Sequence, residues 1–185
     1  MRVMSGSQAA LPADLFARIA GYRHRVFVER LGWQLAVRED RELDQFDRPD
    51  TVYVVAQDEA DRIFGCARLL PTTGDYLLGT VFPQLLCGAP VPRDPRVWEL
   101  SRFACTDPDR RGGFSSLAAF QVSATAGLMR EVMQCARRQG ATRLITVTWL
   151  GIERLLRRLG IRAQRAGPPV IHDGQPIFAC WIELE

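Results

Sequence analysis

"VWELSRFAC", residues 97–105, sets how the rest of the chain is read. Trp98, Leu100, Phe103 and Ala104 give it the look of a strand, yet Glu99 and Arg102 lie inside it. Alternation puts Glu99, Ser101 and Phe103 on one face and Trp98, Leu100 and Arg102 on the other. A bulge or splay would be needed to bring Glu99 and Arg102 towards one cleft. Charges in a half-buried strand cost free energy unless they are paired or put to use.

Upstream, Leu15, Phe16, Ile19, Tyr22, Val26 and Phe27 recur at helical spacing, so a helix is expected from Pro12 to about Leu31, stopped by Gly32. Residues 34–50 read as a charged loop with at most a short helix. "TVYVVAQ" (51–57) and "IFGCARLL" (63–70) read as two strands of a hairpin. Residues 71–96 are proline-rich and read as an extended connection with one short helix near "TVFPQLL". Downstream come a loop, a helix from about Ser115 to Gln139 closed by Gly140, the strand "RLITVTWL", the short amphipathic helix "IERLLRRLG", and closing strands in "PPVIHDG" and "QPIFACWIELE". This order predicts an α/β fold, a mixed sheet with helices on both faces.

The 185 residues are 47% hydrophobic and 24% charged, the make-up of one ordinary globular domain with its own core. No apolar run approaches the ~20 residues of a membrane helix, and "MRVMSGSQAALPADLF" lacks the pattern of a secretory signal. Five scattered cysteines, never in a Cys-x-x-Cys pair, point to a reducing cytoplasm and away from a disulfide framework or a metal site. All 24 basic side chains are arginine, which excludes Schiff-base and lysine-nucleophile chemistry. A net charge of +3 is too slight to argue for nucleic acid.

Charge also stands where apolar residues would be expected at Arg23 in the first helix and Arg68 in the second strand. "ELDQFD" adds Asp44 and Asp47, three apart, so that one helical turn would present both carboxylates on the same side. Two readings of these arginines and acids stay level on residue type alone. They form a structural ion-pair network, or they form a site for a small zwitterion, with arginine for its carboxylate and acid groups for its cation.

The spacing of these groups resembles the acyl-homoserine lactone (autoinducer) synthases. The resemblance rests on "RHRVFVERLGW" with Arg23, Phe27 and Trp33, on "DQFD", on "CARLL" with Arg68, and on "ELSRF". These occur in the family's order over roughly the first 105 residues. It implies a three-layer fold similar to the GCN5-related N-acyltransferases, with a central mixed, twisted sheet. It implies that a fatty acyl thioester, on acyl carrier protein or coenzyme A, is attacked by the amine of S-adenosylmethionine. Lactone closure then expels methylthioadenosine. S-adenosylmethionine is a substrate, and no cofactor is expected.

Within that resemblance one domain spans residues 1–185. Its adenosylmethionine and catalytic half runs to about 105, and its acyl-chain and carrier half covers about 106–185. Glu99, Ser101 and Arg102 are the expected catalytic group, with Glu99 as the base that deprotonates the ammonium. Backbone N–H groups around Phe103 and Ala104 would meet the oxyanion. Arg23, Phe27, Trp33, Asp44, Asp47, Arg68 and Phe103 would bind substrate, and Thr146 and Thr148 would touch the acyl chain. "RRGGFSS" departs from the spacing of a pyrophosphate cradle. The arginines Arg110, Arg111, Arg154, Arg157 and Arg158 are therefore candidates for docking an acidic carrier protein. A monomer without nucleic-acid or membrane partners is expected. The rivals are an acetyl-coenzyme A N-acetyltransferase and an arginine-rich binding module.

Overall fold

The computed structural model describes residues 1–109 and 117–184, with side chains from 122 onward in the second stretch. The elements are β1 (Arg2–Ser7), α1 (Ala13–Arg23) continuing as a π-helix (His24–Arg30), β2 (Val37–Arg38), β3 (Arg41–Glu42), β4 (Val52–Gln57) and β5 (Ile63–Pro71). They continue with α2 (Leu77–Val81), a 3-10 turn (Pro83–Leu86), β6 (Val97–Cys105), α3 (Leu117–Arg138), β7 (Arg143–Trp149), α4 (Leu150–Arg158), β8 (Ala163–Arg165), β9 (Val170–His172) and β10 (Gln175–Glu183). Two compact units result: Met1–Arg68 with Arg102–Cys135, and Leu69–Ser101 with Ala136–Glu185. Strands β5 and β6 run through both.

In the first unit the strand order is β1-β4-β5-β6. β1 lies antiparallel to β4, from Arg2 opposite Gln57 to Ser7 opposite Val52. Helix α1 covers one face: Leu15, Ile19, Tyr22, Val26 and Phe27 pack with Tyr53, Val55, Ile63 and Cys66. Helix α3 covers the other. A Cβ built on Gly65 would stand 2.9 Å from Leu128 Cδ2 and 3.2 Å from the Ala56 Cβ, so the missing side chain lets α3 lie close to the strands. Helix, sheet and helix make three layers, as the element order predicts. The π continuation of α1 closes i to i+5 bonds, Leu31 N–H reaching the Val26 carbonyl at 3.1 Å. Gly32, at φ +71°, then ends it.

The expected loop at 34–50 contains a two-residue hairpin. β2 and β3 pair Val37 with Glu42 and Arg38 with Arg41. Glu39 and Asp40 turn between them with φ of 52° and 57°, as a type I′ turn requires. β1 and β8 are likewise elements that pattern reading does not reveal.

In the second unit the order is β5-β6-β7-β10-β8, with β9 also on β10. β6 and β7 are parallel, pairing Glu99 with Ile145, while β10 is antiparallel to β7, β8 and β9. The sheet is therefore mixed. No described helix is long and apolar enough to cross a membrane. A Cβ on Gly167 would land inside the van der Waals shell of the Leu85 carbonyl oxygen and 3.1 Å from Cys87 Sγ. The Leu85 backbone cannot yield cheaply, so Gly167→Ala is expected to destabilise by about 1–3 kcal/mol in urea unfolding. An unchanged midpoint would show that the contact relaxes.

Candidate active site

Six charged side chains of the first unit close into a ring. Arg23 Nε meets Glu42 Oε2 at 2.6 Å, and its Nη1 meets Asp47 Oδ1 at 2.6 Å. Arg102 Nη2 reaches Glu42 Oε1 and Asp44 Oδ2, both at 2.9 Å. Arg68 Nη1 reaches Asp44 Oδ1 at 2.6 Å and Asp47 Oδ1 at 3.1 Å. Each arginine bridges two carboxylates and each carboxylate bridges two arginines, so charge alternates around the ring and cancels. Five members have side chains no more than 5% exposed; Asp44 is the most open at 16%.

Local structure aims the carboxylates. β3 delivers Glu42, two residues before Asp44. Asp44 then opens a turn closed by the Asp47 N–H on the Asp44 carbonyl at 3.0 Å. The Asp44 N–H donates to Asp47 Oδ2 at 2.7 Å, and the Phe46 N–H donates to Asp44 Oδ1 at 2.9 Å. The two aspartates do converge, through this turn and not through a helix. The Tyr53 hydroxyl donates to Asp47 Oδ1 from β4.

Burial acts against the charge on these groups, but their neighbours outweigh it. Burial raises the Asp47 carboxyl, yet the Arg23 and Arg68 guanidiniums and the Tyr53 hydroxyl hold it well below the usual range. Glu42 is also lowered: burial acts against its charge, and Arg102 and Arg23 overcome it. Arg23 stays charged because Asp47 and Glu42 outweigh its desolvation. Burial first, and then the Asp47 charge, push Tyr53 upward, which keeps it a neutral donor. Depressed carboxyl values stabilise the fold above the unfolded values of about 4, and that contribution is lost as pH falls through the folded values. Circular dichroism is therefore expected to show unfolding on acidification below about pH 4. Asp47→Asn should flatten that acid limb, and an unaltered limb would remove Asp47 as its source.

Arg102 enters the ring with φ of 51°, a left-handed backbone seldom adopted by a non-glycine residue and costing of order 1–3 kcal/mol. The simple alternation expected along residues 97–105 breaks there. Its guanidinium also lies 5.8 Å from the centre of the Phe27 ring. Phe27 in turn stacks on Trp33 at 4.9 Å and 24°. Phe27 is buried in the core beneath α1, and Trp33 packs against its edge.

Glu99 belongs to the second unit and is fully buried. Its carboxylate accepts the Leu77 N–H at 3.0 Å and the Leu78 N–H at 2.6 Å, the first amides of α2. Two backbone donors and burial fix its position. Ser101 is also buried, at 8% exposure, and Phe103 is half-buried. Thr146 and Thr148 are buried on β7, opposite Cys180 and Phe178 of β10. Arg154, Arg157 and Arg158 are exposed on α4, which buries Leu156. Arg157 and Arg162 border a cleft of about 510 Å³ that Glu153 and Glu183 also line. Arg110 and Arg111 lie outside the described residues. Of the two histidines, His24 sits beside Glu29 in the π-helix and His172 is exposed on β9.

Glu42, Phe46 and Tyr53 are the site residues that sequence reasoning missed. The ring's third carboxylate is Glu42, where residue type suggested Glu99. The available signal was its place two residues before Asp44 in "ELDQFD". Arg68 lies 5.7 Å from the Phe46 ring centre.

A profile described as autoinducer synthase matches residues 7–185. The acyl-homoserine-lactone synthase of Acinetobacter nosocomialis is 50% identical over 184 residues, the whole of both chains. The crystal structure of TofI in a ternary complex with an inhibitor and MTA superposes with a TM-score of 0.86 at 45% identity, covering 100% of this chain and 92% of that one. BjaI, a CoA-dependent acyl-homoserine lactone synthase solved with SAM and isopentyl-CoA, gives 0.82 at 26% identity, covering 99% and 82%. A putative N-acetyltransferase from Lactobacillus plantarum shares the fold alone, with a TM-score of 0.62 at 19% identity and full coverage of both chains.

Proposed function

The chain belongs to the autoinducer synthase family, and we propose on that basis that it is an acyl-homoserine lactone synthase using S-adenosylmethionine and a fatty acyl thioester. The amine of S-adenosylmethionine attacks the thioester carbonyl, forming the amide C–N bond and releasing the thiol. The methionine carboxylate oxygen then attacks its own γ-carbon. The C–S bond breaks, methylthioadenosine leaves with the electron pair, and the lactone remains.

The nucleophile comes from the substrate, so the chain need supply only a base, donors for the oxyanion and a shaped surface. The observation that carries this reading is Glu99, a fully buried carboxylate fixed by two amides. It is the group that takes the ammonium proton. Ser101 and Arg102 follow it by two and three residues, Arg102 supporting the 42–47 loop. The N–H groups of Phe103 and Ala104 face the oxyanion. The ring holds Asp44, its most open member, over the cationic substrate with Asp47 buried behind it, while Trp33, stacked on the buried Phe27, gives its bound form an aromatic wall. Thr146 and Thr148 meet the acyl chain. Arg154, Arg157 and Arg158 offer an acidic carrier protein an exposed cationic face.

The test incubates purified protein with S-adenosylmethionine and a panel of acyl thioesters on both carriers, following thiol and methylthioadenosine together. Equal release of the two is expected. Thiol without methylthioadenosine would make the protein an N-acyltransferase or thioesterase, and release of neither would end the enzymatic reading.

A further inference from the structure

Helix α1 and its π continuation fasten two separate segments. Arg23 holds the 42–47 loop through the ring. Tyr22, Arg25 and Arg30 converge instead on the residues that follow β6. The Tyr22 hydroxyl donates to the Thr106 carbonyl at 2.9 Å and accepts the Thr106 N–H at 3.3 Å. Arg30 Nη1 donates to Thr106 Oγ1 at 3.0 Å and to the Asp107 carbonyl at 3.2 Å. Arg25 Nη1 reaches both Asp109 carboxylate oxygens at 2.9 Å. The Asp109 N–H folds back on Asp107 Oδ1 at 3.0 Å, so Thr106–Asp109 is a turned stretch tied down along its length.

The π register makes this possible. In an α-helix, residues five apart point roughly 140° away from each other. A π turn closes i to i+5 and brings them back to within about 50°. Arg25 and Arg30 are five apart. So are His24 and Glu29, whose Nδ1 and Oε1 lie 3.5 Å apart. An α-helical register would carry Arg30 away from the segment that Arg25 holds. The tether contributes little to stability: the side chains of Arg25 and Asp109 are 41% and 68% exposed, and such pairs contribute about 0–1 kcal/mol. A one-residue departure from regular helix that yields so little stability calls for a different purpose.

We propose that the π segment is a positioning device for the acyl-donor side of the reaction. By aligning Arg25 and Arg30 it fixes Thr106–Asp109, and with them the backbone leaving β6 beyond Phe103 and Ala104. The two arginines are positioning residues that act through that backbone. The inference rests on the acyl-transfer reading above and on its placement of the oxyanion donors. Because the ring holds the adenosylmethionine loop through other residues, slackening this tether acts on one substrate and not the other.

The test is steady-state kinetics on the full chain with the fastest acyl thioester. Arg25→Gln with Arg30→Gln is expected to lower kcat/KM for the thioester about tenfold, chiefly through kcat. The KM for S-adenosylmethionine should stay within about twofold and the Tm within about 3 °C. Arg25→Asp combined with Asp109→Arg should recover at least half of the loss seen in Arg25→Asp alone. An unchanged thioester kcat/KM, a rise of more than about twofold in the KM for S-adenosylmethionine, no recovery in the swap, or failure of the double variant to fold would each overturn the assignment. Wild type run alongside separates the two ideas: if it releases no methylthioadenosine in step with thiol, the function itself has failed.

Discussion

Turnover of Glu99→Gln is expected to fall by about 10²–10⁴-fold, the usual contribution of a positioned general base. The amide keeps the size of the carboxylate and loses the capacity to take the ammonium proton. The structure adds a second consequence. Glu99 accepts N–H groups from Leu77 and Leu78 on its two oxygens, whereas glutamine has one oxygen and an NH2. One amide of α2 is then left facing a donor, at a cost of about 1–3 kcal/mol. The variant should therefore melt earlier while remaining folded at 25 °C. Glu99→Asp separates the two effects, since it keeps both acceptor oxygens and withdraws them by one methylene. Single-turnover thiol release, read beside urea unfolding, distinguishes loss of the base from loss of the helix start. Full turnover in folded Glu99→Gln would remove Glu99 from the chemistry.

The second large effect is on stability. Removing one member of the ring leaves two guanidiniums or two carboxylates short of a partner in a dry interior, and breaking a buried pair in this way costs about 3–5 kcal/mol. Asp47→Ala should be the most damaging, because Arg23, Arg68 and the Tyr53 hydroxyl all lose an acceptor. Glu42→Ala should follow closely, and Asp44→Ala should cost least, as Asp44 is the member most open to water. Against a total stability of about 5–15 kcal/mol, the first two variants approach unfolding at 37 °C. Denaturant unfolding gives the ranking directly. An Asp47→Ala midpoint equal to wild type would show that the ring is peripheral to the fold. The ring is not thereby the most stabilising filling for its space, since apolar residues can match a buried ionic cluster. Its use is to hold one loop in one place.

Much of the scaffold was readable because long periodic segments report their own burial. The apolar stripe of α1, the β-branched runs of β4 and β7 and the apolar run of β5 each specify an element before any partner is known. The charged positions Arg23, Asp44, Asp47, Arg68 and Arg102 also stood out, because each interrupts such a pattern or repeats at a suggestive spacing. What escaped notice depends on partners. β1, "RVMSGS", has the residues of a loop and becomes a strand by lying against β4. The turn between β2 and β3 carries Glu39 and Asp40 where glycine or asparagine would have announced it. Glu42 interrupts no apolar pattern and owes its burial to that hairpin. The π register is invisible to a period count, since seven residues cannot separate 3.6 from a slightly wider turn.

The ring has a consequence for descent. Six residues joined in an alternating cycle cannot lose a charge singly without leaving an odd charge in the interior, so gradual drift through neutralising single steps is closed to them. Any lineage that changes this cluster must alter adjacent members together, an arginine with the acid beside it, and the permitted pairs are the six links of the cycle. Variation at these positions should thus arrive in coupled steps around the cycle, while the surface beyond changes one residue at a time.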